Sequence, residues 1–246
     1  MNVLDLFSGI GGFSLGLERA GMRTVAFCEI DPYARAVLRK HWPDVPCYED
    51  VRELTADRLA RDGITVDVIC GGFPCQDISH AGKGAGLDGE RSGLWSEIAR
   101  LVGELRPRYL IVENVAALLG RGLGDVLGDL AEVGYDAEWH CIPASYLGAW
   151  HRRDRVWLLA YPYCQHAEQG RKEPIFRQRD LSRELSRGFE KWPGRSHLPE
   201  SRFYRTSDGL PNWMDRLRCL GNAVVPQIPE IIGRAIMEIE GDRLTP

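Results

Sequence analysis

The sequence predicts an α/β fold in which a mostly parallel sheet carries helices on both faces. Short apolar runs alternate with amphipathic stretches through residues 1–161, which is the pattern of repeated strand–helix units. The alternation then stops, and residues 162–210 are rich in Arg, Ser, Glu, Pro and Gly. Order returns from Pro211 and ends in an apolar-faced helix. We therefore expect one large domain formed by residues 1–161 and 211–246, with 162–210 as a small inserted region.

Strands are expected where apolar and β-branched residues cluster between turn residues. In chain order these runs are Asn2–Phe7, Thr24–Cys28, Val66–Cys70, Arg108–Val112, Glu138–Ile142 and Val156–Tyr161, with a further short strand before Asp50. Helices are expected where apolar residues recur every three to four positions. These segments are Phe13–Ala20, Pro32–His41, Ala56–Arg61, Leu94–Leu105, Leu123–Val133 and Gln227–Ile239.

The composition limits the class of protein. Of the 246 residues, 44% are apolar and 27% are charged, which is ordinary for a globular domain with a real core. No run approaches the roughly 20 apolar residues that cross a bilayer, and the first residues read as a strand instead of a basic leader. The seven cysteines form no C-x-x-C pair, and the six histidines have no metal-ligand spacing with them. We expect a cytoplasmic protein with free thiols and no metal site, and we expect it to act as a monomer.

The charge is distributed unevenly along the chain. Residues 151–218 hold 15 Lys and Arg against 9 Asp and Glu, an excess of +6, whereas the remainder holds 16 against 26, giving −10. The two parts together give the net charge of −4. A basic segment on an acidic body is typical of a phosphate-binding surface, although a solvated arginine-rich loop has the same composition.

The first strand leads into a glycine-rich turn, Asp5-Leu6-Phe7-Ser8-Gly9-Ile10-Gly11-Gly12. Glycines between a strand and its helix let the backbone approach a ligand closely. Glu29 ends the second strand, where an acidic side chain binds ribose hydroxyls in nucleotide-binding folds. The Gly-x-Gly-Gly spacing differs from the Gly-x-Gly-x-x-Gly that seats a pyrophosphate, which favours S-adenosylmethionine over a dinucleotide. A plain tight turn is the alternative interpretation.

Asp50 and Val51 follow the third short strand region and are expected at the edge of the same pocket. There the Asp50 carboxylate would accept a hydrogen bond from an adenine amine, with Ile30 and Val51 flanking the ring. An aspartate in this position also commonly caps a helix.

Pro74-Cys75-Gln76 follows an apolar strand and two glycines, which delivers Cys75 to the carboxyl edge of the sheet. Open α/β folds place their chemistry at that edge, so Cys75 is a candidate nucleophile, although most cysteines are inert. The chain from Cys75 to Trp95 is polar and holds five glycines, counting Gly93. Such a segment beside a nucleophile is typical of a lid over an active site.

Glu113 ends the strong strand Tyr109–Val112 and is expected within reach of the same substrate. A helix cap or an ion pair with Arg153 is the alternative for this carboxylate. Arg153 and Arg155 alternate ahead of the last strand, so both side chains are expected on one side of the sheet edge. A surface salt bridge is the alternative for these arginines.

These motifs, in this order, resemble the DNA (cytosine-5)-methyltransferases, and most closely their short prophage-type members. The similarity covers about four-fifths of the chain. It runs through Asp5–Phe13, Glu29-Ile30-Asp31, Asp50-Val51, Gly72–Gln76, Gly93-Leu94-Trp95, Glu113-Asn114-Val115, His151–Trp157 and Gly221–Pro226.

The resemblance implies a Rossmann-like, S-adenosylmethionine-dependent methyltransferase fold that transfers a methyl group to carbon 5 of cytosine in double-stranded DNA. Residues 162–210 would then be the target-recognition region. Cys75 would add to carbon 6 of a flipped-out base, Glu113 would hydrogen-bond the ring, and Arg153 and Arg155 would hold the base and the catalytic loop. The loop 76–93 would close over the base.

The resemblance also assigns binding residues. The cofactor would contact Asp5, Phe7, Ser8, Gly9, Gly11, Gly12, Glu29, Ile30, Asp50, Val51, Pro74, Leu94, Asn222, Ala223 and Val224. Independently of the resemblance, the polar loop after Cys75 and the basic segment are expected to contact DNA through Gln76, Ser79, Lys83, Arg91, Arg171, Arg177, Arg179 and Arg183.

Two departures from the family pattern accompany these implications. His151 stands where the family often has Gln, and residues 162–210 are short for a target-recognition region, which puts tight sequence recognition in question. Methylation of cytosine in RNA is the first alternative, since the tRNA-acting branch shares the nucleophile. A degenerate cofactor- or DNA-binding module is opposed by the presence of Cys75, Glu113 and the glycine turn, and a nicotinamide dehydrogenase is opposed by the glycine spacing.

Overall fold

The computed structural model describes residues 1–74, 93–144, 153–163, 219 and 222–242. Within these ranges the strands are β1 (Asn2–Leu6), β2 (Arg23–Cys28), β3 (Cys47–Tyr48), β4 (Val68–Gly71), β5 (Tyr109–Val115), β6 (Tyr135–Pro143) and β7 (Asp154–Pro162). The α-helices are α1 (Gly12–Arg19), α2 (Pro32–His41), α3 (Ala56–Arg61), α4 (Gly93–Leu105), α5 (Leu118–Arg121), α6 (Leu123–Glu132) and α7 (Gln227–Asp242). Val51–Glu53 forms a 3-10 helix.

The strands form one sheet in the order β3-β2-β1-β4-β5-β7-β6. β1 pairs in parallel with β2 and β4, β2 pairs in parallel with β3, and β4 pairs in parallel with β5. β7 runs antiparallel to both β5 and β6. The predicted α/β class with a mostly parallel sheet is therefore confirmed. The strand order changes direction at β1, and open α/β sheets bind ligands outside the carboxyl ends of the strands at such a point.

Helices cover both faces of this sheet, as predicted. On one face Leu59 of α3, Trp95 of α4 and Val126 of α6 share a buried core with Leu4 of β1. The neighbouring Val3 belongs to the core on the other face. The strand is apolar at successive positions because it is buried on both sides, as central parallel strands are.

The second face is covered by α1 and α7, which come from distant parts of the chain. Phe13 of α1 shares its core with Ile232 and Ile236 of α7. A Cβ atom on Gly16 would lie 2.2 Å from the carbonyl oxygen of Pro226, whereas real Cβ atoms essentially never come within 3.0 Å. Glycine at this position therefore lets the backbone ahead of α7 lie directly on α1.

The other end of α7 is fixed at the amino edge of the sheet. Glu240 is buried, accepts a hydrogen bond from the Tyr109 hydroxyl at 2.8 Å and pairs with Arg108. Both partners stand where β5 begins. The helix α7 thus runs from the carboxyl ends of the strands to their amino ends and is fixed by contacts at both of its own ends.

Several boundaries differ from the sequence expectations. β5 continues to Val115 instead of ending at Val112, because its last residues pair with the antiparallel β7. β6 begins at Tyr135, which pairs with Pro162. The helix α5 has no predicted counterpart, since its four residues are too few to show a periodic pattern. The expected inserted region lies outside the described residues from position 164 onward.

None of the helices in the described part of the chain is both long enough and apolar enough to cross a membrane.

Candidate active site

A cleft of about 380 Å³ opens at the carboxyl edge of the sheet. The ends of β1, β2, β4 and β5 form its floor, and the start of β7 and the segment before α7 form another wall. Its described lining residues are Phe7, Gly9, Glu29, Ile30, Asp31, Ala34, Gly72, Phe73, Pro74, Glu113, Asn114, Val115, Arg153, Arg155, Cys219 and Asn222. The fold therefore gathers motifs that are far apart in the sequence.

A larger cavity of about 520 Å³ lies at the opposite edge, where β1, β2 and β3 begin. Its described lining residues include none of the predicted site residues. Ligands of open α/β sheets bind at the carboxyl ends of the strands. We therefore assign the candidate site to the smaller cleft, on its chemistry and position instead of its size.

The glycine turn after β1 forms one wall of the cleft. Phe7 has a φ of +52°, and Gly9 and Gly11 have φ values of +53° and +85°. The Ser8 hydroxyl donates to the Asp5 carbonyl at 2.6 Å, and the Gly11 N–H donates to the Ser8 carbonyl at 2.9 Å. A left-handed φ is unusual for a residue with a Cβ atom, and such backbone strain concentrates at functional sites.

Glu29 is held against this turn by two backbone N–H groups. Its Oε2 accepts from Gly9 at 2.7 Å and its Oε1 accepts from Asp31 at 2.8 Å. The residue is 9% exposed, so a fixed carboxylate stands in the wall with acceptor capacity left on both oxygens. The adjacent Ile30 is 64% exposed and presents an apolar side chain at the rim. The predicted ribose and adenine contacts of these residues agree with this geometry and stay predictions.

Asp5 lies behind the turn and not in the lining of the cleft. It is fully buried, and its Oδ2 accepts from the Ser14 hydroxyl at 2.7 Å and from the Ser14 N–H at 3.3 Å. Burial raises the pKa of Asp5 to about 7. The carboxyl group ties β1 to the start of α1 and so supports the shape of the turn, and the predicted cofactor contact of Asp5 stays a prediction.

Asp50 is engaged in local contacts. Its carboxylate pairs with the Arg52 guanidinium at 2.7 Å and accepts from the Arg52 N–H at 3.0 Å as the cap of the 3-10 helix. Hydrogen bonding from Arg52 holds the pKa of Asp50 below its usual range. The helix-cap alternative is therefore observed, Asp50 and Val51 lie outside the described lining, and the predicted adenine contact stays a prediction.

The segment before α7 returns to the first turn of α1. Asn222 lines the cleft, and a Cβ atom on Gly12 would lie 2.6 Å from the Val224 carbonyl oxygen. Gly11, Gly12, Leu94, Ala223 and Val224 lie outside the described lining. Their predicted cofactor contacts stay predictions.

Glu113 and Arg155 form the charged centre of the cleft. The Arg155 Nε lies 2.9 Å from the Glu113 Oε1, and both side chains are largely buried. Burial raises the pKa of Glu113, while the positive charges of Arg155 and Arg153 oppose that shift. The ion-pair alternative named Arg153, whose positive charge also acts on Glu113, and the ion pair observed is with Arg155. In the β5–β7 register Trp157 lies opposite Glu113, so Arg155 is its diagonal neighbour.

Arg153 connects this centre to the C-terminal part of the chain. It lies just before β7 with a φ of +38°, and its Nη2 donates to the Ala223 carbonyl at 2.8 Å. Burial lowers the pKa of Arg153. Sequence reasoning expected both arginines on one side of the sheet edge, and both line the cleft beside Glu113.

Cys75 lies outside the described residues, but its neighbours are placed at the cleft. Pro74 lines it, and the Phe73 carbonyl accepts a hydrogen bond from Asn114 Nδ2 at 3.2 Å. The ring centroids of Phe73 and Trp95 lie 5.5 Å apart. The residues that precede and follow the segment 75–92 are therefore in contact with each other, next to the strand that carries Glu113.

Several further predicted residues lie outside the described ranges, and their roles stay predictions. They are Gln76, Ser79, Lys83, Arg91, His151, Arg171, Arg177, Arg179 and Arg183. Sequence reasoning gave no role to Cys219 or to the Asn114 side chain, which also line the cleft. The position of Asn114 directly after Glu113 was the available signal, whereas Cys219 had none. No group of three or more potential metal-ligating side chains occurs among the residues that the structure describes.

Comparison with known proteins places these features in a family. The family model described as C-5 cytosine-specific DNA methylase matches residues 1–205. The type II methyltransferase M2.BsuMI of Bacillus subtilis is 40% identical over 168 residues, which cover 65% of this chain and 42% of that protein. The type II methyltransferase M.MspI of Moraxella sp is 29% identical over 218 residues, which cover 87% and 51%. The chain thus spans about half, or less, of the length of these relatives.

Two solved structures share the fold. A protein described as a DNA modification methyltransferase encoded within an E. coli prophage matches with a TM-score of 0.57 at 29% identity, covering 67% of this chain and 47% of that one. Spodoptera frugiperda DNMT2 matches with a TM-score of 0.57 at 21% identity, covering 70% and 53%, which supports the fold alone. The Rossmann-like methyltransferase fold implied by the motifs is confirmed, and this chain belongs to the C-5 cytosine-specific DNA methylase family.

Proposed function

We propose that this protein transfers a methyl group from S-adenosylmethionine to carbon 5 of cytosine in double-stranded DNA. The observation that carries the proposal is the Glu113–Arg155 pair, which shares one cleft with Glu29 and Ile30. A flipped base and a nucleoside-bearing methyl donor need adjacent subsites, and the Glu113–Arg155 pair would serve the base while Glu29 and Ile30 would serve the donor. Family membership supports the reaction class.

The wall formed by β1 and β2 suits the adenosine half of the cofactor. The fixed Glu29 carboxylate can accept from both ribose hydroxyls, and the exposed Ile30 offers apolar contact to adenine. When bound, S-adenosylmethionine supplies an electrophilic methyl group on a sulfonium sulfur. It carries no phosphate, which agrees with a turn whose glycine spacing does not build a pyrophosphate seat.

The base side of the cleft supplies the activation that cytosine needs. Carbon 5 is a poor nucleophile, so the Cys75 thiolate first forms a bond to carbon 6, and the displaced electron pair reaches carbon 5 and the ring. Glu113 hydrogen-bonds ring nitrogen 3 and the amino group as this charge develops. The burial that raises the pKa of Glu113 favours the protonated, donating form.

The adduct resolves in two further steps. Carbon 5 forms a bond to the methyl carbon while the bond from that carbon to the sulfonium sulfur breaks, and its electron pair stays on sulfur, so S-adenosylhomocysteine is the leaving group. Carbon 5 then loses its proton to a base, and the electron pair of that C–H bond re-forms the ring double bond. The C6–S bond breaks at the same time, so Cys75 leaves with its electron pair as a thiolate and 5-methylcytosine is released. Arg155 keeps the Glu113 carboxyl in one orientation throughout, and Arg153 holds the neighbouring wall through Ala223.

Carbon 6 is inaccessible inside a duplex, so the target base must leave the stack, at a cost of about a few kcal/mol. We assign residues 76–93 to closure over this base. We assign 162–210 to target recognition, since this region holds much of the local positive excess. We infer that the protein works as a monomer in the cytoplasm, as a bacterial or phage-encoded enzyme, where duplex DNA is accessible.

A duplex containing 5-fluorocytosine tests the covalent step, because an adduct that cannot lose a proton from carbon 5 is trapped. The native enzyme should form an adduct that survives denaturation, and Cys75→Ser should form none and lose turnover. Cys141→Ser is the matched control, since Cys141 is an exposed cysteine on β6, and it should behave as the native enzyme does. Full turnover by Cys75→Ser, or preferential methylation of tRNA over duplex DNA, would contradict the proposal.

The recognition role of 162–210 is tested by exchanging this segment with that of a related enzyme. The methylated sequence, read by bisulfite sequencing, should follow the segment while turnover is retained. Retention of the original target by the chimaera would assign recognition to the 76–93 segment or to the C-terminal part.

A further inference from the structure

We propose that Arg35, which sequence reasoning did not single out, positions the adenosine half of the cofactor by joining the two turns on either side of it. The inference rests on the proposed function, because it takes the Glu29 wall as the cofactor subsite. Arg35 would not touch the reacting atoms. It would act through the backbone that carries the contact residues.

The first contact of Arg35 is with the turn after β2. Its Nη1 donates to the Glu29 carbonyl at 3.1 Å and to the Ile30 carbonyl at 2.9 Å. These two carbonyls belong to the residues assigned to ribose and adenine. One nitrogen of a residue on α2 therefore sets the path of the backbone at the cleft wall.

The second contact is with the turn after β3. Arg35 Nη2 lies 3.0 Å from the Glu49 Oε1, and Glu49 directly precedes Asp50, the residue predicted to meet adenine. The strand ladder connects the two turns as far as the bond from the Glu29 N–H to the Tyr48 carbonyl, at 2.9 Å. Beyond this bond Arg35 itself links the turn after β2 to the turn after β3, and these are the two segments that would flank the adenine ring.

The burial of Arg35 argues against a role in stability alone. Its side chain is 12% exposed, against 66% for Glu49, and its buried Nε has no hydrogen-bond partner among the described residues. A buried cation with an unpaired donor stabilises a fold poorly. The planar guanidinium reaches the carbonyls and the carboxylate with different nitrogens, which a single lysine ammonium cannot reproduce.

The test compares Arg35→Met and Arg35→Lys with Arg39→Met, which removes an exposed arginine one turn further along α2. Arg35→Met should weaken S-adenosylmethionine about tenfold in calorimetry, with S-adenosylhomocysteine weakened by the same factor because it shares the adenosine half. The KM for DNA and the kcat at saturating cofactor should stay within about twofold of the native values. Arg35→Lys should recover part of the affinity, and Glu49→Gln should lose less than Arg35→Met because the carbonyl contacts remain.

The result that overturns the inference is a cofactor affinity for Arg35→Met equal to that of Arg39→Met, with only the melting temperature lowered. Glu29→Ala separates this failure from failure of the proposed site. That variant should weaken the cofactor by about 10- to 100-fold. If Glu29→Ala binds weakly and Arg35→Met binds normally, the positioning role alone is wrong. If both bind the cofactor normally, the cofactor subsite lies elsewhere and both proposals are wrong.

Discussion

The contact between α1 and the start of α7 gives a direct test of how the fold is closed. In Gly16→Ala the added Cβ atom would lie 2.2 Å from the Pro226 carbonyl oxygen, 2.7 Å from Pro229 Cγ and 2.9 Å from the Glu230 nitrogen. Two of these three neighbours are backbone atoms, so no side-chain rotation relieves the overlap. Overpacking of this kind costs about 1–3 kcal/mol, so we expect Gly16→Ala to be destabilised by about that amount.

Gly128→Ala is the matched control for this substitution. Gly128 lies inside α6, is exposed, and has nothing within 4 Å of the position of an added Cβ atom. Alanine is about 0.5–1 kcal/mol better than glycine inside a helix, so this variant should be slightly more stable than the native protein. Urea unfolding followed by circular dichroism measures both free energies, provided that the denaturant slopes agree.

The two variants should therefore differ in opposite directions from the native protein. Equal stabilities for Gly16→Ala and Gly128→Ala would show that α7 does not lie on α1 as closely as described. Cofactor affinity gives a second readout, since displacement of the segment before α7 should also move Asn222 in the cleft wall. Gly128→Ala should leave that affinity unchanged.

Three further outcomes are expected. Burial raises the pKa of Asp5 from 3.8 to about 7, so between these pH values the folded state keeps a proton that the unfolded chain releases. The free energy of unfolding should therefore fall by at most about 4 kcal/mol from pH 4 to pH 7. Asp5→Asn should flatten this part of the pH profile of the urea midpoint, and an unchanged slope would contradict the assignment. Arg155→Met removes the positive charge at 2.9 Å from Glu113, so the ionisation of that carboxyl group, followed by carbon NMR, should move to higher pH, and movement to lower pH would be the contrary result. Trp95→Phe removes the hydrogen bond from the Trp95 Nε1 to Asp129 Oδ2 at 2.7 Å, and loss of this bond should lower the free energy of unfolding by about 1 kcal/mol. If the losses of Trp95→Phe and Asp129→Ala are additive in the double variant, the two side chains do not interact.

Local sequence was sufficient for most of the body of the fold. β1 is apolar at consecutive positions because both of its faces are buried, and α2 begins at Pro32 because Asp31 caps its first N–H groups. Both signals lie within a few residues of the element that they define. Glu113, Arg153 and Arg155 were likewise predicted as candidate site residues from their places beside strands, and they line the cleft.

The partners that individual side chains contact could not be predicted from local sequence. The partner of Glu113 depends on the register of β7 against β5, which no local pattern encodes. The two carbonyl contacts of Arg35 depend on how α2 folds back over the end of β2. In the sequence Arg35 is one of several basic residues on an amphipathic helix, and only the assembled turn distinguishes it from the exposed Arg39.

The packing of α7 on α1 also determines when the cleft can be completed during synthesis of the chain. A ribosome adds about 5–20 residues per second, so α7 follows α1 by roughly 10–40 s. During that interval the apolar face of α1, with Phe13 and Leu17, has no cover from Ile232 and Ile236. The nascent chain is then open to chaperones and proteases on that face, and the cleft lacks the wall that contains Asn222. The described wall of the cleft is therefore completed only after α7 has been synthesised and has packed on α1.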